Sequence, residues 1–260
     1  MSFFEIWING FLVTMGLLTL LWLVSVAMKN ASIIDPFWGT GFVVLMGYYL
    51  YATENYSNRL LFIAGLVLIW GLRLSLYLLW RNSGHGEDYR YQQFRQDYGP
   101  ERYWWISFFQ VFLLQGILMS IVALPLLGIA MSSQTELTLL DILVAVIWFI
   151  GISFEAGGDL QLTRFKSNPD NKGKVLNTGF WRYTRHPNYF GDAAVWWSFG
   201  LFAVLSGSYV TLVGSLLMNI LLLKISGVSL LEKSLKSTKP QYADYVEKTN
   251  AFFPWFPKKD

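Results

Sequence analysis

The stretch WRYTRHPNYFGDAAVWWSFGLFAVL, residues 181–205, places a dense group of polar side chains immediately before an apolar run. Its first twelve residues contain two arginines, one of the two histidines in the chain, an asparagine and an aspartate. The remainder is apolar enough to belong to a membrane-spanning helix. The stretch therefore predicts a polar site at the mouth of a helix that enters a bilayer.

The composition also favours a membrane protein. The chain is 54% hydrophobic and 14% charged, with a mean hydropathy of +0.39, whereas soluble domains carry about 25% charged residues. It has no cysteine, which excludes disulfides and cysteine-based nucleophiles or metal sites. With only two histidines and no His–Glu cluster, we expect no metal site, and nothing in the sequence indicates a nucleic-acid partner. The N-terminal MSFFEIW has no basic region, so it is interpreted as the start of a first spanning helix.

Seven apolar segments are long enough, or nearly so, to cross a bilayer. They are Trp7–Ala27, Phe37–Ala52, Leu60–Trp80, Trp105–Met131, Leu139–Gly158, Tyr189–Leu205 and Tyr209–Leu223. The predicted fold is therefore all-α and polytopic, with seven transmembrane helices. Six spans, with the last two merged into a re-entrant hairpin, are the main alternative.

The basic residues predict the orientation through the positive-inside rule. Four arginines follow the third span, six basic residues follow the fifth, and six lie in the tail. Seven spans put all three groups on the cytoplasmic face, with the N-terminus outside and the C-terminal tail inside. We expect residues 1–260 to form one integral-membrane domain in a bacterial inner membrane, with its polar site facing the cytoplasm.

Ionisable residues inside spans are costly and usually functional. Arg73, Glu155, Asp159 and Lys224 occupy such positions. Glu155 and Asp159 are four residues apart and share a helix face. Snorkelling at a helix end or structural ion pairing is the alternative for Glu155 and Lys224. For Arg73 and Asp159 we expect a function.

The richest polar region runs from residue 159 to residue 192. Its cations include Arg164, Lys166, Lys174 and the arginines of WRYTRHP. Arginine matches phosphate oxygens in a bidentate way, and Pro187 is typical of a helix start whose N-terminus attracts anions. This pattern predicts a phosphorylated ligand, bound between helices because the chain has no Rossmann or P-loop motif. Contact with anionic lipid headgroups is the alternative.

Two further polar patches are expected on the same face. SIIDPFWG, residues 32–39, has Asp35 at the start of the second span, where it could cap a helix or act in catalysis. WRNSGHGEDYRYQQFRQDYG, residues 80–99, follows the third span. Its Glu87, Asp88 and Arg90 could order the loop by local pairing or hold a ribose and a phosphate.

These motifs carry a resemblance to a known family. GFWRYTRHPNYFGD and LLEKSLKSTKPQYADYVEKTNAFFPWFPKK resemble the C-terminal half of the steroid 5α-reductase family, in particular its bacterial membrane branch. DPFWG and the LRLSLYLLWRN–GEDYRY stretch are similar as well. The resemblance implies a seven-helix fold that binds NADPH and reduces the C=C bond of a Δ4-3-oxo steroid or a related α,β-unsaturated carbonyl lipid. It also implies a cofactor side mainly at 139–260 and a substrate side mainly at 1–131.

The resemblance assigns roles to particular positions. It implies that Asp159, Arg164 and Lys166 meet the adenosine and phosphate end of the cofactor. It implies that the diphosphate and nicotinamide ribose are lined by Arg182, Tyr183, Arg185, His186, Asn188, Tyr189 and Asp192. Lys224 matches a basic position in the last helix, and Asp35 matches a carboxylate beside the reacting carbonyl. At the position of the family's tyrosine partner, Trp70 is the nearest match, and Tyr77, two turns further along, is the candidate tyrosine. The hydrophobic substrate is expected to enter a monomeric protein from the bilayer, between the first helices.

Two other classes of protein remain alternatives. A membrane methyltransferase of the isoprenylcysteine or phospholipid type shares an RHP–Y–G segment and would use S-adenosylmethionine. Those enzymes show paired glutamates where this chain has Leu231–Glu232, and their cofactor has no phosphate that would require many arginines. A lipid-binding scaffold without a cofactor is the second alternative.

Overall fold

A computed structural model describes residues 1–225, 228, 232 and 241–258, and this part of the chain is helical without strands. The α-helices are α1 Phe3–Met28, α2 Phe37–Thr53, α3 Asn58–Asn82, α4 Tyr89–Tyr98, α5 Tyr103–Ser107, α6 Leu114–Val122, α7 Leu124–Ala130, α8 Leu139–Ser167, α9 Pro187–Leu205, α10 Leu212–Ile220 and α11 Tyr242–Lys248. A π-helical turn, Phe108–Leu113, joins α5 to α6, and a second, Leu221–Ile225, follows α10. The all-α prediction is confirmed for the described residues.

Within the described residues, five helical segments are long and apolar enough to cross a membrane. They are Phe3–Met28, Ala31–Thr53, Asn58–Asn82, Tyr103–Val122 and Leu139–Ser167. Their length and composition indicate an integral membrane protein. The predicted sixth and seventh spans correspond to α9 and to the shorter apolar stretch Tyr209–Ile225, which are not among these five. Seven crossings and the orientation of the chain stay predictions.

The fourth predicted span is shorter than expected. The prediction ran from Trp105 to Met131, but the continuous helical segment ends at Val122 and α7 begins at Leu124. Pro125 occupies the first turn of α7. Proline lacks the backbone N–H that a continuous helix would need there, so it favours a new helix start.

Local sequence sets the ends of α8 and α9. Thr138 and Asp141 form a reciprocal capping box that starts α8, because each side chain accepts the other residue's backbone N–H. α8 stops before Asn168-Pro169, since the residue before a proline avoids helical backbone. Pro187 begins α9, as predicted.

The chain divides into two compact units. The first comprises Met1–Leu137 with Ser206–Ser208, and the second comprises residues 138–205 and 209–260. In the first unit, α2 and α3 touch at Gly39 and Gly71, where a methyl group on Gly39 would lie 2.1 Å from the Gly71 carbonyl oxygen. Only glycine permits backbones to approach this closely.

In the second unit, α8 and α9 pack closely at Gly151 and Gly191. A methyl group on Gly191 would lie 2.4 Å from both the Glu155 amide nitrogen and the Gly151 carbonyl oxygen. Both neighbours are backbone atoms, which cannot move aside as a flexible side chain can. This contact holds the acidic face of α8, with Glu155 and Asp159, against the first turns of α9.

We expect Gly191→Ala to destabilise the protein by about 1–3 kcal/mol, because the added methyl group overpacks the α8–α9 contact. Gly65→Ala is the matched control, since nothing lies within 4 Å of the added methyl group and alanine favours a helix. Thermal unfolding in detergent measures both. Equal unfolding temperatures for the two variants would contradict the close packing of α8 on α9.

Candidate functional site

A cavity of about 380 Å³ lies in the second unit, at the end of α8. This volume is within the range of about 300–1,000 Å³ typical of ligand pockets. Lining residues include Leu162, Phe165, Lys166, Lys172, Val175, Leu176, Trp181, Arg185, His186, Asn188, Tyr242 and Tyr245. The cavity thus brings together four of the predicted cofactor residues with aromatic and aliphatic walls.

Asp159 and Asn188 form a polar contact between α8 and α9. The Asn188 amide nitrogen donates to Asp159 Oδ1 at 3.1 Å, and the Asn188 Oδ1 accepts from the Tyr189 backbone N–H at 3.1 Å. Asp159 is buried. This contact fixes the orientation of Asn188, which lines the cavity. Asp159, which is not among the lining residues, therefore acts by positioning Asn188.

The NPDNKGK segment forms the predicted turn beside the cavity. The Asn168 side chain accepts from the Asp170 backbone N–H, and the Asn171 amide donates to the Phe165 carbonyl at 3.0 Å. Gly173 has φ +82°, a left-handed conformation that favours glycine. The turn presents Lys172 to the cavity opposite Lys166 on α8. Arg164 and Lys174 are exposed and are not among the described residues that line it.

Arg185 has a structural role that the sequence analysis missed. Its buried guanidinium donates through Nε to Glu232 at 2.8 Å, and through Nη1 to the carbonyls of Val246 and Thr249. Its backbone N–H donates to the Asn250 carbonyl at 2.9 Å. Arg185 therefore ties the mouth of α9 to the C-terminal segment, with its charge neutralised by Glu232.

The C-terminal residues 249–258, called the tail strap below, run along the Trp181–Arg185 segment. The Thr184 hydroxyl donates to the Phe252 carbonyl at 2.8 Å, and the Trp255 N–H donates to the Tyr183 carbonyl at 2.9 Å. Just before the strap, the Tyr245 hydroxyl donates to the Trp181 carbonyl. Tyr245 therefore supports a wall of the cavity. The two tyrosines of YADYVEK were the one sequence signal for this role.

His186 is buried between the cavity and Glu232. Burial lowers the pKa of His186 to about 4, and this effect outweighs the nearby carboxylate of Glu232, which raises it. Its Nε2 lies 3.3 Å from Glu232 Oε1. His186 is therefore neutral at physiological pH and lends polarity, not charge, to the cavity.

The remaining predicted cofactor residues of this unit lie around the cavity. Arg182 and Tyr183 line a shallower depression. The Tyr189 ring lies 5.8 Å from the His186 ring, and Asp192 is partly buried one turn further along α9. Lys224 is exposed in the second π-helical turn. Leu231 and the lysines at 233, 236, 239 and 259 lie outside the described residues.

In the first unit, Asp35 is the centre of a polar network. Its Oδ1 accepts from the Tyr91 hydroxyl at 2.6 Å, and its Oδ2 accepts from Arg90 Nη2 at 2.9 Å. Pro36 occupies the cap position of α2, and no side-chain cap bond is formed there. The interpretation of Asp35 as a helix cap is therefore wrong. Arg90 also pairs with Asp88 at 2.9 Å.

Tyr91 is the tyrosine partner of Asp35, a role that the sequence analysis gave to Tyr77. Gln115 donates to the Tyr91 hydroxyl at 3.3 Å, and Trp38 donates to Gln115. Burial, together with the charge of Asp35, raises the pKa of Tyr91, so its hydroxyl keeps its proton. Tyr91 is the last residue of the GEDYRY motif quoted above. It is hard to choose from sequence, because Tyr91 lies 56 residues from Asp35 and only the fold brings them together.

The other residues of this patch make local contacts. Arg73 and Arg81 lie over the Tyr77 ring, at 5.2 and 5.8 Å from its centroid. Glu87 accepts two bonds from Arg95, at 3.0 and 2.9 Å, and a third from the Ala31 backbone N–H. The local-pairing alternative thus describes Glu87, while binding of a cofactor by Arg73, Glu87, Asp88 and Arg90 stays a prediction.

The apolar helices and the cavity together define an α-helical integral membrane protein whose cavity is lined by both polar and aromatic side chains. The chain belongs to the DUF1295 family, described as a protein family of unknown function, whose profile matches residues 21–249. It is similar to an uncharacterized protein of Schizosaccharomyces pombe, with 28% identity over 94% of this chain and 78% of that protein. No solved structure matches the chain.

We expect acid to destabilise the protein partly through His186. Because its folded pKa of about 4 lies below the ordinary value of 6.5, the unfolded state binds the proton first as the pH falls. Stability is therefore lost from about pH 6.5 down to about pH 4, by a contribution on the order of 2–3 kcal/mol.

Comparison of unfolding temperatures over this pH range tests the expectation. His186→Gln should flatten the dependence, since glutamine has no charge to bury. His85→Gln, at the exposed second histidine, is the matched control. If His186→Gln kept the slope of the parent protein, the neutral burial of His186 would be wrong.

Proposed function

We propose that the protein is an NADPH-dependent reductase that saturates the C=C bond of an α,β-unsaturated carbonyl lipid, of which a Δ4-3-oxo steroid is the example implied by the resemblance. The observation that carries the proposal is the cavity at the mouth of α9. It combines two lysines, an oriented asparagine and aromatic walls in one place. A ligand that carries both phosphates and a flat ring would use the lysines for its phosphates and the aromatic walls for its ring.

The residues of the cavity fit a nicotinamide dinucleotide. Lys166 and Lys172 supply positive charge for phosphates, and Asn188 supplies an amide beside the N-terminus of α9, which favours anions. Phe165 and Trp181 supply apolar surface for a ring. When bound, the cofactor would supply a hydride. The chain's own residues would bind and orient it, and would exclude water behind the tail strap.

The Asp35 network supports the carbonyl side of the proposal. A carbonyl that becomes an enolate is stabilised by a preorganised hydrogen-bond donor. Tyr91 keeps its proton, and Asp35 and Gln115 hold its hydroxyl from two sides. The single hydroxyl proton of Tyr91 is donated to Asp35 in this structure. We therefore assign Tyr91 as the donor, with its hydroxyl turning from Asp35 to the carbonyl oxygen when the substrate binds, and Asp35 as the residue that holds it until then. This assignment replaces Tyr77 as the preferred tyrosine.

Access and location follow from the same proposal. The substrate is apolar, and α1 exposes Leu12, Leu20 and Leu23, so we propose that it arrives from the bilayer. NADPH is a cytosolic cofactor, so the cavity would face the cytoplasm of a bacterial inner membrane, as the basic loops predict.

We expect NADPH to raise the unfolding temperature of the detergent-solubilised protein, because a ligand that binds only the folded state stabilises it. Lys166→Ala should weaken this stabilisation, since Lys166 lines the cavity. Lys174→Ala, in the loop that follows α8 and outside the lining, is the control. S-adenosylmethionine is measured in parallel. Stabilisation by S-adenosylmethionine alone would favour the methyltransferase, and stabilisation by neither would favour the scaffold.

We expect Tyr91→Phe to reduce enone-dependent oxidation of NADPH by about 10²–10³-fold, the usual effect of removing one such donor. Stabilisation by NADPH should be unchanged, because Tyr91 is not among the described residues that line the cavity. Tyr77→Phe is the matched control and should retain activity. Full activity in Tyr91→Phe would remove Tyr91 from the proposed reaction.

A further inference from the structure

The tail strap exposes a row of large aromatic side chains. Phe253, Trp255 and Phe256 are 72%, 70% and 75% exposed. Backbone bonds from Phe252 and Trp255 to Thr184 and Tyr183 hold the strap, so its backbone cannot rotate to turn these side chains inward without breaking them. Apolar groups of this size are rarely left in water as a continuous patch.

The position of the strap along α8 indicates what covers the row. Trp181 lies two residues before Tyr183, to which the strap is bonded, and donates from its indole nitrogen to the Gly158 carbonyl at 3.0 Å. At 1.5 Å per residue, Gly158 lies about 28 Å along α8 from Leu139, and the hydrocarbon core is about 30 Å thick. If α8 enters the hydrocarbon at Leu139, the strap docks near the level at which it leaves.

Two further observations mark the same level. The exposed residues of α8 change from leucine at Leu160 to arginine at Arg164, as expected at the boundary between lipid tails and headgroups. A chain of ring contacts joins Phe154 on α8 to Phe190 at 5.1 Å, and Phe190 to Phe253 at 6.2 Å. Through Phe190, Phe253 is thus linked to Phe154, which precedes this change from apolar to basic residues on α8.

Charge is present beside the aromatic row. Arg182 is exposed next to Tyr183, whose ring lies 5.9 Å from that of Phe256. Lys258 is exposed at the end of the strap, where its backbone N–H donates to the Lys248 carbonyl at 3.0 Å. Aromatic rings flanked by basic residues are typical of segments at the interface of an anionic membrane.

We propose that the tail strap is an interfacial anchor: Phe253, Trp255 and Phe256 insert into the headgroup region of the surrounding bilayer, and Arg182 and Lys258 bind anionic lipid headgroups. Lipid contacts would hold the exposed side of the strap, while Thr184 and Arg185 hold its other side through hydrogen bonds. Membrane contact would thereby support the strap that is bonded to the Trp181–Arg185 segment, whose Trp181 and Arg185 line the cavity.

The absence of cysteine allows a direct test with single labelled positions in the full chain. A nitroxide is attached to Trp255→Cys or Phe253→Cys, and to Asn177→Cys as the control at an exposed loop position of the same unit. Each protein is placed in nanodiscs of phosphatidylcholine, with or without phosphatidylglycerol. Collision rates with oxygen, which concentrates in lipid, and with a water-soluble nickel chelate then report depth.

We expect the oxygen-to-nickel ratio at positions 253 and 255 to exceed that at 177, and to rise further with phosphatidylglycerol. Adding Lys258→Glu to the labelled chain should abolish the effect of phosphatidylglycerol while leaving the unfolding temperature unchanged. Nickel accessibility equal to that at 177 would overturn the anchor. Low accessibility to both reagents would also overturn it, because a protein surface would then cover the strap. A ratio independent of phosphatidylglycerol would overturn the role of the two cations.

Discussion

Burial of the Arg185 guanidinium is the constraint on which the second unit depends. A buried charge is tolerated only when it is paired and its hydrogen bonds are made. Glu232 neutralises this charge, and the carbonyls of Val246 and Thr249 accept from the same group. These three acceptors lie 47, 61 and 64 residues along the chain from Arg185. The guanidinium therefore holds the C-terminal segment against the start of α9. Tyr242 and Tyr245, which line the cavity, belong to the helix that this contact holds in place.

This dependence changes how Arg185 should be interpreted. The sequence suggested an arginine that binds phosphate. In the structure, its removal would leave the partly buried Glu232 without its cation and two carbonyls without a donor, which is destabilising. Loss of activity in an Arg185 variant would report on folding as well as on binding. A lysine at the cavity edge is a cleaner probe of the ligand.

Local patterns predicted much of the molecule, and contacts between distant segments account for the rest. Apolar length gave the long helices, and Pro187 and NPDNKGK gave a helix start and a turn, because those features depend on neighbouring residues. The choice of Tyr91 over Tyr77 depends on how α4 packs near α2, which no local pattern encodes. Apolar length alone does not predict the break before α7, because Pro125 lies inside a long apolar run.

The two units use their arginines in the same way. Arg90 is engaged by Asp35 and Asp88, as Arg185 is by Glu232, so neither presents an uncompensated fork to a ligand. The cations that line the cavity with solvent access are lysines, Lys166 and Lys172. A lysine acts as a mobile point charge without the planar geometry of arginine. In the proposed function, such a site would select a phosphate by charge, and its affinity would fall with salt. Selectivity for the rest of the ligand must then come from the aromatic wall and from Asn188, whose amide is already oriented by Asp159.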